Sequence, residues 1–482
     1  MKDHWAPRLG FSRAYSISLS PHLIYARSNL VPALVSSKVY RQLEFLAVGS
    51  WWIHDAKEER QGGSPEGVEE ATTILQDQKI LRKIPGSRED VFADKSIDLR
   101  STRSLMKVLK LAADAGAHST IVSESGDQPW PDFLASRYNI GSKLQAPLQA
   151  LTLSPAPPSR TSVAYAVPQM HRHLTSIGIF GPGFGAVVPK WGGLAEIAQV
   201  ACRAGAVGGG VYVLKKGIES IDIPVQPPAS PTTAERTDHL LPTIKLEGGD
   251  EVKARWIIGT PSTLHGFSAE IPKQQMTSVE VTHITAIISS ALTSLFPPPA
   301  EGSPPPASTV AVLPPGTIRP PQSPSFADMP AIYLIIHSSD TGECPEGQSI
   351  IYASTALSHP SASQFLSSAI ETFLSAVPGE AILPDVLWTL AYKQHHSVPS
   401  SPPPSNAQNS QAGGSANHDS NQRCGILHLH DLSPSLALED DVLKNARAVW
   451  EHATADDGNA RGAFMQFEDR VGFGSEDDED AP

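Results

Sequence analysis

Cysteine is scarce, since the 482-residue chain contains only Cys202, Cys344 and Cys424. Three thiols so far apart exclude a disulfide framework and lack the paired spacing of a zinc site. No base that could activate Cys202 is identifiable, so we predict that it is a buried structural residue beside Arg203. Cys344 lies in the segment TGECPEG, which predicts a loop thiol.

The chain also lacks long apolar runs and an excess of positive charge. No stretch approaches the ~18 consecutive apolar residues of a membrane span, and no basic region followed by an apolar run marks the first residues. The formal net charge of −13 disfavours nucleic acid as a partner. We predict a cytosolic protein that makes only transient membrane contact, with the nucleus left open as a second location.

Charged residues make up only 18% of the chain, whereas proline occurs 43 times. Residues 297–329 form a proline-rich insertion, for which we predict neither a helix nor an interior strand. Residues 397–423 carry almost no apolar side chains and are predicted to be disordered. Residues 57–70 and 224–237 are predicted to be exposed loops, and residues 471–482 an acidic tail.

Glycine is concentrated in residues 180–214. Gly181, Gly183 and Gly185 give a G-x-G-x-G pattern, one residue short of the dinucleotide fingerprint, and a proline interrupts the loop. Residues 176–180 are a candidate strand before the loop, but the AVVPK segment after it does not begin a helix that could receive phosphate. We therefore predict no cofactor, and in particular neither flavin nor nicotinamide.

A helix is predicted directly after Gly193, with Gly205 as its carboxyl-terminal stop. At about 100° per residue, Glu196, Gln199 and Arg203 fall within about 60° of one another. Two interpretations of this polar face stay open: a solvated surface, which geometry alone favours, and a docking surface for another protein. The opposite side is predicted to be core and consists of Leu194, Ile197, Ala198 and Ala201.

Apolar periodicity predicts the other elements. A helical block occupies residues 99–176, with helices at 99–115, 132–138, 141–153 and 162–176. Further helices are predicted at 281–296, 362–376 and 442–452, the last packed against the first part of the chain. Strands are predicted at 255–259, 331–337 and 386–393, and around Val211 and Val213, which would share one apolar face.

No catalytic constellation is evident. His171 and His173 diverge on a helix because residues two apart point in different directions. His428, His430 and Asp431 would alternate along a strand and suit a metal ion, but no second acidic cluster supports them. We favour an ordinary strand-edge surface for these three residues, and predict no metal site.

The segment GGLAEIAQVACRAGAVGGGVYVL resembles the GELPQ…R…GG-Y-L block shared by Rab GDP-dissociation inhibitors and Rab escort proteins. It is most similar to the fungal escort form, component A of Rab geranylgeranyltransferase. Blocks at 18–52, 84–107 and 387–394 resemble the same family, the last being similar to a late core strand of escort proteins. The resemblance is strong over residues 11–215 and weak over 330–470.

This resemblance implies an α/β fold, in which a flavoprotein-like (FAD/NAD(P)-binding-like) domain with mixed sheets carries an inserted all-helical domain. The helical domain corresponds to residues 99–176. The α/β domain corresponds to residues 1–98, 177–296 with the polar helix, and 330–396, and is completed by a strand and a helix in residues 424–470.

The resemblance also implies which residues bind a partner. The polar face of Glu196, Gln199 and Arg203 would contact a Rab GTPase. The Rab contact would further include Val211, Val213 and the paired arginines Arg100 and Arg103. In the helical domain, which would hold a prenyl group, we predict contacts from Met106, Leu109, Met170 and Leu174.

The implied function is that of an accessory subunit without catalytic residues. Such a protein binds GDP-form Rab GTPases, presents them to the catalytic dimer of Rab geranylgeranyltransferase, and shields the attached geranylgeranyl lipid during vesicle traffic. Two alternatives stay open. One is a Rab GDP-dissociation inhibitor, which does not recruit the transferase, and the other is a flavin-dependent oxidoreductase.

The sequence departs from the family at its start. The family begins with a strand and a glycine-rich turn, whereas this chain begins with MKDHWAPRLGFSRAYS. We expect the first strand and its turn to be missing, through truncation or as a variation of the fold. Loss of a central parallel strand would make the α/β domain less stable and leave an apolar sheet edge.

Overall fold

The computed structural model describes most of the chain. The described residues are 9–55, 80–86, 88–93, 97–224, 241–260, 262–264, 276–318, 329–380, 382–399, 424–455 and 464–466. The predicted loop 57–70 and the acidic tail 471–482 lie outside them. So do residues 225–237 of the second predicted loop and residues 400–423 of the segment predicted to be disordered.

Helices and strands are interleaved along the described residues. The helices are α1 (Leu30–Ser36), α2 (Arg88–Ala93), α3 (Leu99–Ala113), α4 (Ala115–Ser125), α5 (Trp130–Tyr138), α6 (Ser142–Ala150), α7 (Val163–Ser176), α8 (Leu194–Val207), α9 (Ala362–Leu374) and α10 (Asp440–Ala453). The strands are β1 (Ile24–Tyr25), β2 (Phe45–Asp55), β3 (Ile80–Ile84), β4 (Ala186–Pro189), β5 (Ile218–Asp222), β6 (Thr243–Leu246), β7 (Glu251–Lys253), β8 (Trp256–Gly259), β9 (Met276–Ile288), β10 (Ser308–Leu313), β11 (Ile332–Ser338), β12 (Ser349–Thr355), β13 (Val386–Pro399) and β14 (Gly425–His428).

A nine-stranded sheet organises the molecule. Its order is β1-β4-β2-β10-β11-β12-β9-β13, and β3 also pairs with β2. The pair β2–β10 is parallel, and the other pairs in this sheet are antiparallel. The central strands are rich in β-branched and large apolar residues, which pack well on a pleated surface. Strand β13, predicted from the family to be a core strand, lies at the end of this order.

Both faces of the central strands are covered. Because successive side chains of a strand point to opposite faces, Val310, Tyr333 and Tyr352 enter a first core cluster together with the helices between residues 99 and 176. Leu334 and Ile351 enter a second core cluster, built with helix α9. The sheet therefore lies between a helical layer and a single helix, which makes the fold mixed α/β.

The helical block consists of α3 to α7. Helix α3 packs against α7, and α7 reaches strand β1. The predicted helix 99–115 corresponds to α3, which ends at Ala113. The Asp114 side chain accepts a hydrogen bond from the amide of Gly116 at 3.0 Å and starts α4, a helix that was not predicted. Ser162 caps α7 in the same way, and α7 continues through Pro168. The predictions at 132–138, 141–153 and 162–176 correspond to α5, α6 and α7.

The proline-rich segment was predicted wrongly. Within residues 297–329 lies β10, a fully buried strand between β2 and β11. The sequence STVAVL of β10 contains no proline and two β-branched valines, and the prolines flank it at 304–306 and 314–315. Proline therefore limits the length of this strand and does not prevent its pairing.

The helix predicted at 281–296 is also wrong. Strand β9 occupies Met276–Ile288, and it is paired on both sides with β12 and β13. Ile284 and Ile288 are spaced four residues apart, which fits one helix face and equally fits one face of a strand. The β-branched content of β9 and the burial of both its faces favour the strand.

The other predicted elements occur close to where they were expected. Strands β8 and β11 and helices α9 and α10 match the predictions at 255–259, 331–337, 362–376 and 442–452. Strand β13 begins at Val386 as predicted but extends to Pro399, three residues into the segment predicted to be disordered. No described helix combines the length and the apolar character that crossing a membrane requires.

Candidate functional site

The glycine-rich loop leads out of the helical block. The strand predicted at 176–180 is absent, because α7 runs to Ser176 and the chain then turns, with the amide of Gly178 donating to the carbonyl of Phe184 at 2.9 Å. Gly185 is needed there, since a Cβ atom on it would lie 2.8 Å from the backbone nitrogen of Ile177. These glycines permit close backbone packing before β4 begins.

Helix α8 begins against the first described segment of the chain. Gly193 has a φ of 60°, and a Cβ atom on it would lie 2.8 Å from the Ser18 hydroxyl oxygen. The preceding Trp191 donates its amide to the carbonyl of Thr341 at 2.8 Å, and its indole packs on Gly342. These contacts fix where α8 starts and how it leaves the sheet.

The packed side of α8 differs from the prediction. Leu194, Ile197 and Val200 are half-buried and pack on a third core cluster, whereas Ala198 and Ala201 are exposed. The third core cluster consists of Ile24, Leu30, Leu34, Val39, Val187 and Leu438. Because every third residue of α8 contacts the third core cluster, the two alanines face outward and the packed side of the helix is a narrow stripe. The helix also continues past Gly205 and ends at Val207.

The predicted polar row lies on the accessible side of α8. Glu196 is half-buried and Gln199 and Arg203 are exposed. The side-chain amide of Gln199 donates to Oε1 of Glu196 at 3.3 Å. The structure therefore brings two of the three predicted residues into direct contact, with Arg203 one turn further along the same helix.

The segment after α8 is an exposed apolar loop and not a strand. Gly210 donates its amide to the carbonyl of Gly205 at 2.8 Å, which folds the loop back on the helix end. Val211 is 86% exposed and Val213 54% exposed. The segment has no sheet partner among the described residues and is therefore a loop. We call α8 and this loop, residues 194–214, the platform; the exposed apolar residues at its end are Val207, Val211, Tyr212, Val213 and Leu214.

Tyr212 is a residue that the sequence analysis missed. A hydrogen bond with Cys202 raises the pKa of the Tyr212 hydroxyl. Cys202 is exposed, so its predicted role as a buried structural residue is wrong. The reason is the same rotation of α8 that exposes Ala198 and Ala201. Cys344 does lie in a loop as predicted, but it is buried, and burial raises its pKa to about 12.

The paired arginines lie on another element. Arg100 and Arg103 are exposed on the first turns of α3. Asp98 caps this helix by accepting from the amide of Arg100 at 2.8 Å. Helix α3 packs in the first core cluster and α8 in the third. The arginines thus present a separate basic surface on the helical block.

The four residues predicted to contact a prenyl group lie on two helices that pack against each other, Met106 and Leu109 on α3 and Met170 and Leu174 on α7. Met170 is fully buried, and Met106, Leu109 and Leu174 are partly buried against the first core cluster. These side chains therefore pack as core in the described structure.

The helical block is joined to the sheet by a buried polar cluster, which sequence reasoning did not identify. The hydroxyl of Tyr25 lies 3.1 Å from Nδ1 of His173, and the Trp51 ring packs edge-on against the same imidazole at 4.9 Å. Burial, together with the nearby Arg172 charge, lowers the pKa of His173 to about 4. Burial raises the pKa of Tyr25. Both groups are therefore neutral near pH 7.

The histidines near the carboxyl-terminal strand do not alternate along one strand as predicted. Strand β14 ends at His428, so His430 lies beyond it and the predicted alternation is interrupted. Asp431 accepts from the hydroxyl of Ser262 at 2.8 Å. Within the described part of the chain, no group of three or more His, Cys, Asp or Glu side chains is placed to hold a metal ion.

Comparison with known proteins identifies relatives in sequence. No family model matches the chain. It is 25% identical over 371 residues to Rab proteins geranylgeranyltransferase component A of Saccharomyces cerevisiae, covering 77% of this chain and 52% of that protein. It is 26% identical over 382 residues to the protein of the same name in Candida albicans, covering 78% of this chain and 52% of that protein. With Rab escort protein 1 of Arabidopsis thaliana the identity is 22% over 376 residues, covering 71% and 58%.

The chain is similar to Rab escort proteins. The resemblance predicted from the sequence blocks is confirmed by these relatives. The chain spans about half the length of the first two relatives.

A solved structure shares this fold. The structure of a Rab GDI from Plasmodium falciparum superposes with a TM-score of 0.57 at 15% identity, covering 92% of this chain and 84% of the other. At this identity the match establishes the fold alone. The predicted mixed α/β fold is confirmed.

Proposed function

We propose that this chain binds Rab GTPases through the platform. The proposal rests on two neighbouring features of the platform. Helix α8 carries the polar row of Glu196, Gln199 and Arg203, and the loop that follows α8 is apolar and exposed. Both features fall in the block that resembles the family, and the relatives are named for Rab proteins. A polar row gives register and specificity, and an apolar loop gives affinity when it is buried.

The apolar end of the platform suits a protein partner. Val211 and Leu214 are 86% and 80% exposed, and large exposed apolar side chains in one loop mark an interaction surface. Arg100 and Arg103 on α3 provide a second, basic contact for the same Rab. Their position on a different helix from the platform favours a partner of domain size over a short peptide.

We propose further that the chain acts as an escort protein and performs no bond chemistry itself. It would hold GDP-form Rab GTPases, present them to the catalytic dimer of Rab geranylgeranyltransferase, and shield the geranylgeranyl lipid afterwards. Shielding would use the α3–α7 interface of Met106, Leu109, Met170 and Leu174. These helices would separate to admit the lipid, and membrane contact would be transient, from the cytosol.

A second candidate, a Rab GDP-dissociation inhibitor, is favoured by the fold similarity to a Rab GDI. The two candidates share Rab binding and lipid shielding. They differ in the transferase, because only an escort protein brings an unprenylated Rab to it.

A reconstituted prenylation reaction tests both. We would combine a GDP-loaded Rab, geranylgeranyl diphosphate and the catalytic dimer, with and without the chain, and measure lipid attached to the Rab. Transfer that requires the chain is the expected result. Binding of prenylated Rab without any stimulation of transfer would favour the inhibitor, and failure to bind either Rab form would reject both proposals.

A further inference from the structure

Residues 432–440, which we call the strap, tie several elements together. The amide of Leu23 donates to the carbonyl of Leu436 at 2.8 Å, and the amide of Leu438 donates to the carbonyl of Leu23 at 2.9 Å. The strap thus lies as a parallel neighbour beside the residue that precedes β1. From the other side, Nη1 of Arg172 on α7 donates to the carbonyl of Leu438 at 3.0 Å.

The strap also bridges two hydrophobic cores. Leu436 and Ala437 belong to the first core cluster, with the helical block, whereas Leu438 belongs to the third, beneath α8. At its end, Asp440 accepts from the amide of Asn29 at 2.7 Å. Detachment of the strap would therefore expose apolar surface beneath the platform and beneath the helical block at the same time.

A cluster of three histidines, His22, His283 and His396, lies where the strap begins. Nδ1 of His396 lies 2.7 Å from the carbonyl oxygen of Leu432. A carbonyl oxygen only accepts, so Nδ1 carries the hydrogen and donates it to the strap. On the neighbouring strand, the His283 ring stacks on Tyr392 with 4.9 Å between ring centres.

Each histidine of the cluster has a buried ring nitrogen without a hydrogen-bond partner among the described residues. These atoms are Nδ1 of His22, Nε2 of His283 and Nε2 of His396. Burial lowers the pKa of His283 to about 4, and the neighbouring His396 and His22 lower it in the same direction. Burial also lowers the pKa of His22. Burial therefore disfavours a positive charge on His22 and on His283.

Among the described residues, the carboxylates near the cluster have other partners. Asp431, which precedes Leu432, accepts from the hydroxyl of Ser262 at 2.8 Å. The strap carries no titratable side chain before Glu439, which interacts with Arg172. Glu280, Lys393 and His395 lie on the opposite face of β9 and β13, where Nζ of Lys393 contacts Glu280 at 2.9 Å. From the packed strands, Tyr392 on β13 and Tyr352 on β12 line a small cavity together with His283. The hydroxyl of Tyr352 donates to the buried Glu343.

We propose that His22, His283 and His396 form a proton-operated latch on the strap. With the three imidazoles neutral, the strap is held on β1 and α7. A proton taken up by one of them places a buried cation beside two other imidazoles, and opening the strap lets water solvate that charge. The latch makes the closed arrangement of the platform and helical block sensitive to acidification.

Hydrogen–deuterium exchange on the full chain tests the latch. We would compare the strap and Leu23 with the β10–β11 pair at pH 7.5, 6.5 and 5.5, after correction for intrinsic exchange. If opening takes up one proton, the opening constant of the strap rises up to about ten-fold per pH unit below about 6.5. The central strands should change much less. An equal change in both regions, or no change in the strap, would overturn the proposal.

Three variants test which histidines cause the pH response of the strap. His283→Phe keeps the ring stacked on Tyr392 and His396→Asn keeps a donor for the Leu432 carbonyl, but neither new side chain titrates. Each should reduce the pH response of the strap, whereas His395→Asn, on the opposite strand face, should retain it. A full response in both cluster variants, or its loss in His395→Asn, contradicts the latch. Should a variant fail to fold, the wild-type comparison still decides.

Discussion

The guanidinium of Arg172 lies over the ring of Tyr25, with its central carbon 5.0 Å from the ring centre. The next residue, His173, contacts the hydroxyl of the same tyrosine at 3.1 Å. Two consecutive residues of α7 thus contact the Tyr25 side chain of β1. Arg172 lies over the face of the ring, and His173 contacts the hydroxyl at its edge. This arrangement fastens the helical block to the sheet.

Acidification should weaken this junction. His173 takes up a proton near pH 6.5 in the unfolded chain but only near pH 4 in the folded protein, so the unfolded state binds more protons between these values. The free energy of unfolding should therefore fall as the pH decreases through this range, by about 2 kcal/mol at pH 5 from this residue. Denaturant unfolding at pH 7.5 and pH 5 measures the difference. His173→Phe should show a smaller pH dependence than wild type, and the exposed-site control His395→Asn an unchanged one.

Charge reversal on the platform should weaken Rab binding. We expect Arg203→Glu or Glu196→Arg to cost about 2–4 kcal/mol of binding free energy, the usual cost of breaking a charged contact that becomes buried at an interface. The melting temperature should change little because the polar row is accessible in the free protein. Affinity for GDP-loaded Rab is measured by titration at matched salt. The control is Glu371→Arg, on the exposed side of α9. Wild-type affinity in both platform variants would contradict the proposal that the polar row binds Rab.

The apolar loop should contribute to Rab binding independently of the polar row. Val211→Asp should weaken Rab binding by about 1–3 kcal/mol, since the contact would bury this valine, and leave the melting temperature unchanged. Val252→Asp, which changes a 44% exposed valine on β7, is the matched control. Equal Rab affinity for Val211→Asp and wild type would show that the partner does not cover the loop.

The proposed lipid site can be separated from the Rab site. Leu174→Glu should abolish protection of prenylated Rab from aggregation while unprenylated Rab binds as before. Light scattering of prenylated Rab and titration of unprenylated Rab measure the two properties. Combined loss of both would mean that Leu174 acts only as core, and Leu174→Met, which conserves apolar volume, should preserve both.

No flavin or nicotinamide should copurify with the chain. The loop at Gly181–Gly185 leads into strand β4, so it does not open a helix whose amino terminus could receive a pyrophosphate. The absorbance spectrum of the purified protein tests this directly. A stoichiometric flavin band would revive the oxidoreductase alternative.

Elements with a single period were predictable from the sequence. Helix α7 shows a continuous apolar stripe from Val163 to Leu174, and Ser162 marks its start, so its bounds are nearly as predicted. Strands β9 and β10 were missed because both their faces are buried, and a strand without polar alternation cannot be distinguished from a short helix or a loop between prolines.

The candidate site was predictable in part. The spacing of Glu196, Gln199 and Arg203 suffices to place them on one helix face. The sequence does not reveal which side of α8 packs, because that depends on Trp191, Ser18 and Thr341, which lie far apart in the chain. For the same reason Cys202 was expected to be buried, and the contacts of Tyr212 and of the strap were not foreseen.

The parallel pairing of β2 with β10 has a consequence for folding order. Parallel neighbours need a long crossover, and here the connection contains the helical block, the platform and β9. Contacts of high sequence separation form late, because the entropy of closing a long loop opposes them. During synthesis the helices between residues 99 and 176 can assemble from local contacts. Strand β2 cannot pair with β10 until β10 has been synthesised. Since Leu23 is hydrogen-bonded to Leu436 and Leu438, it reaches these partners only after residue 438 has been synthesised.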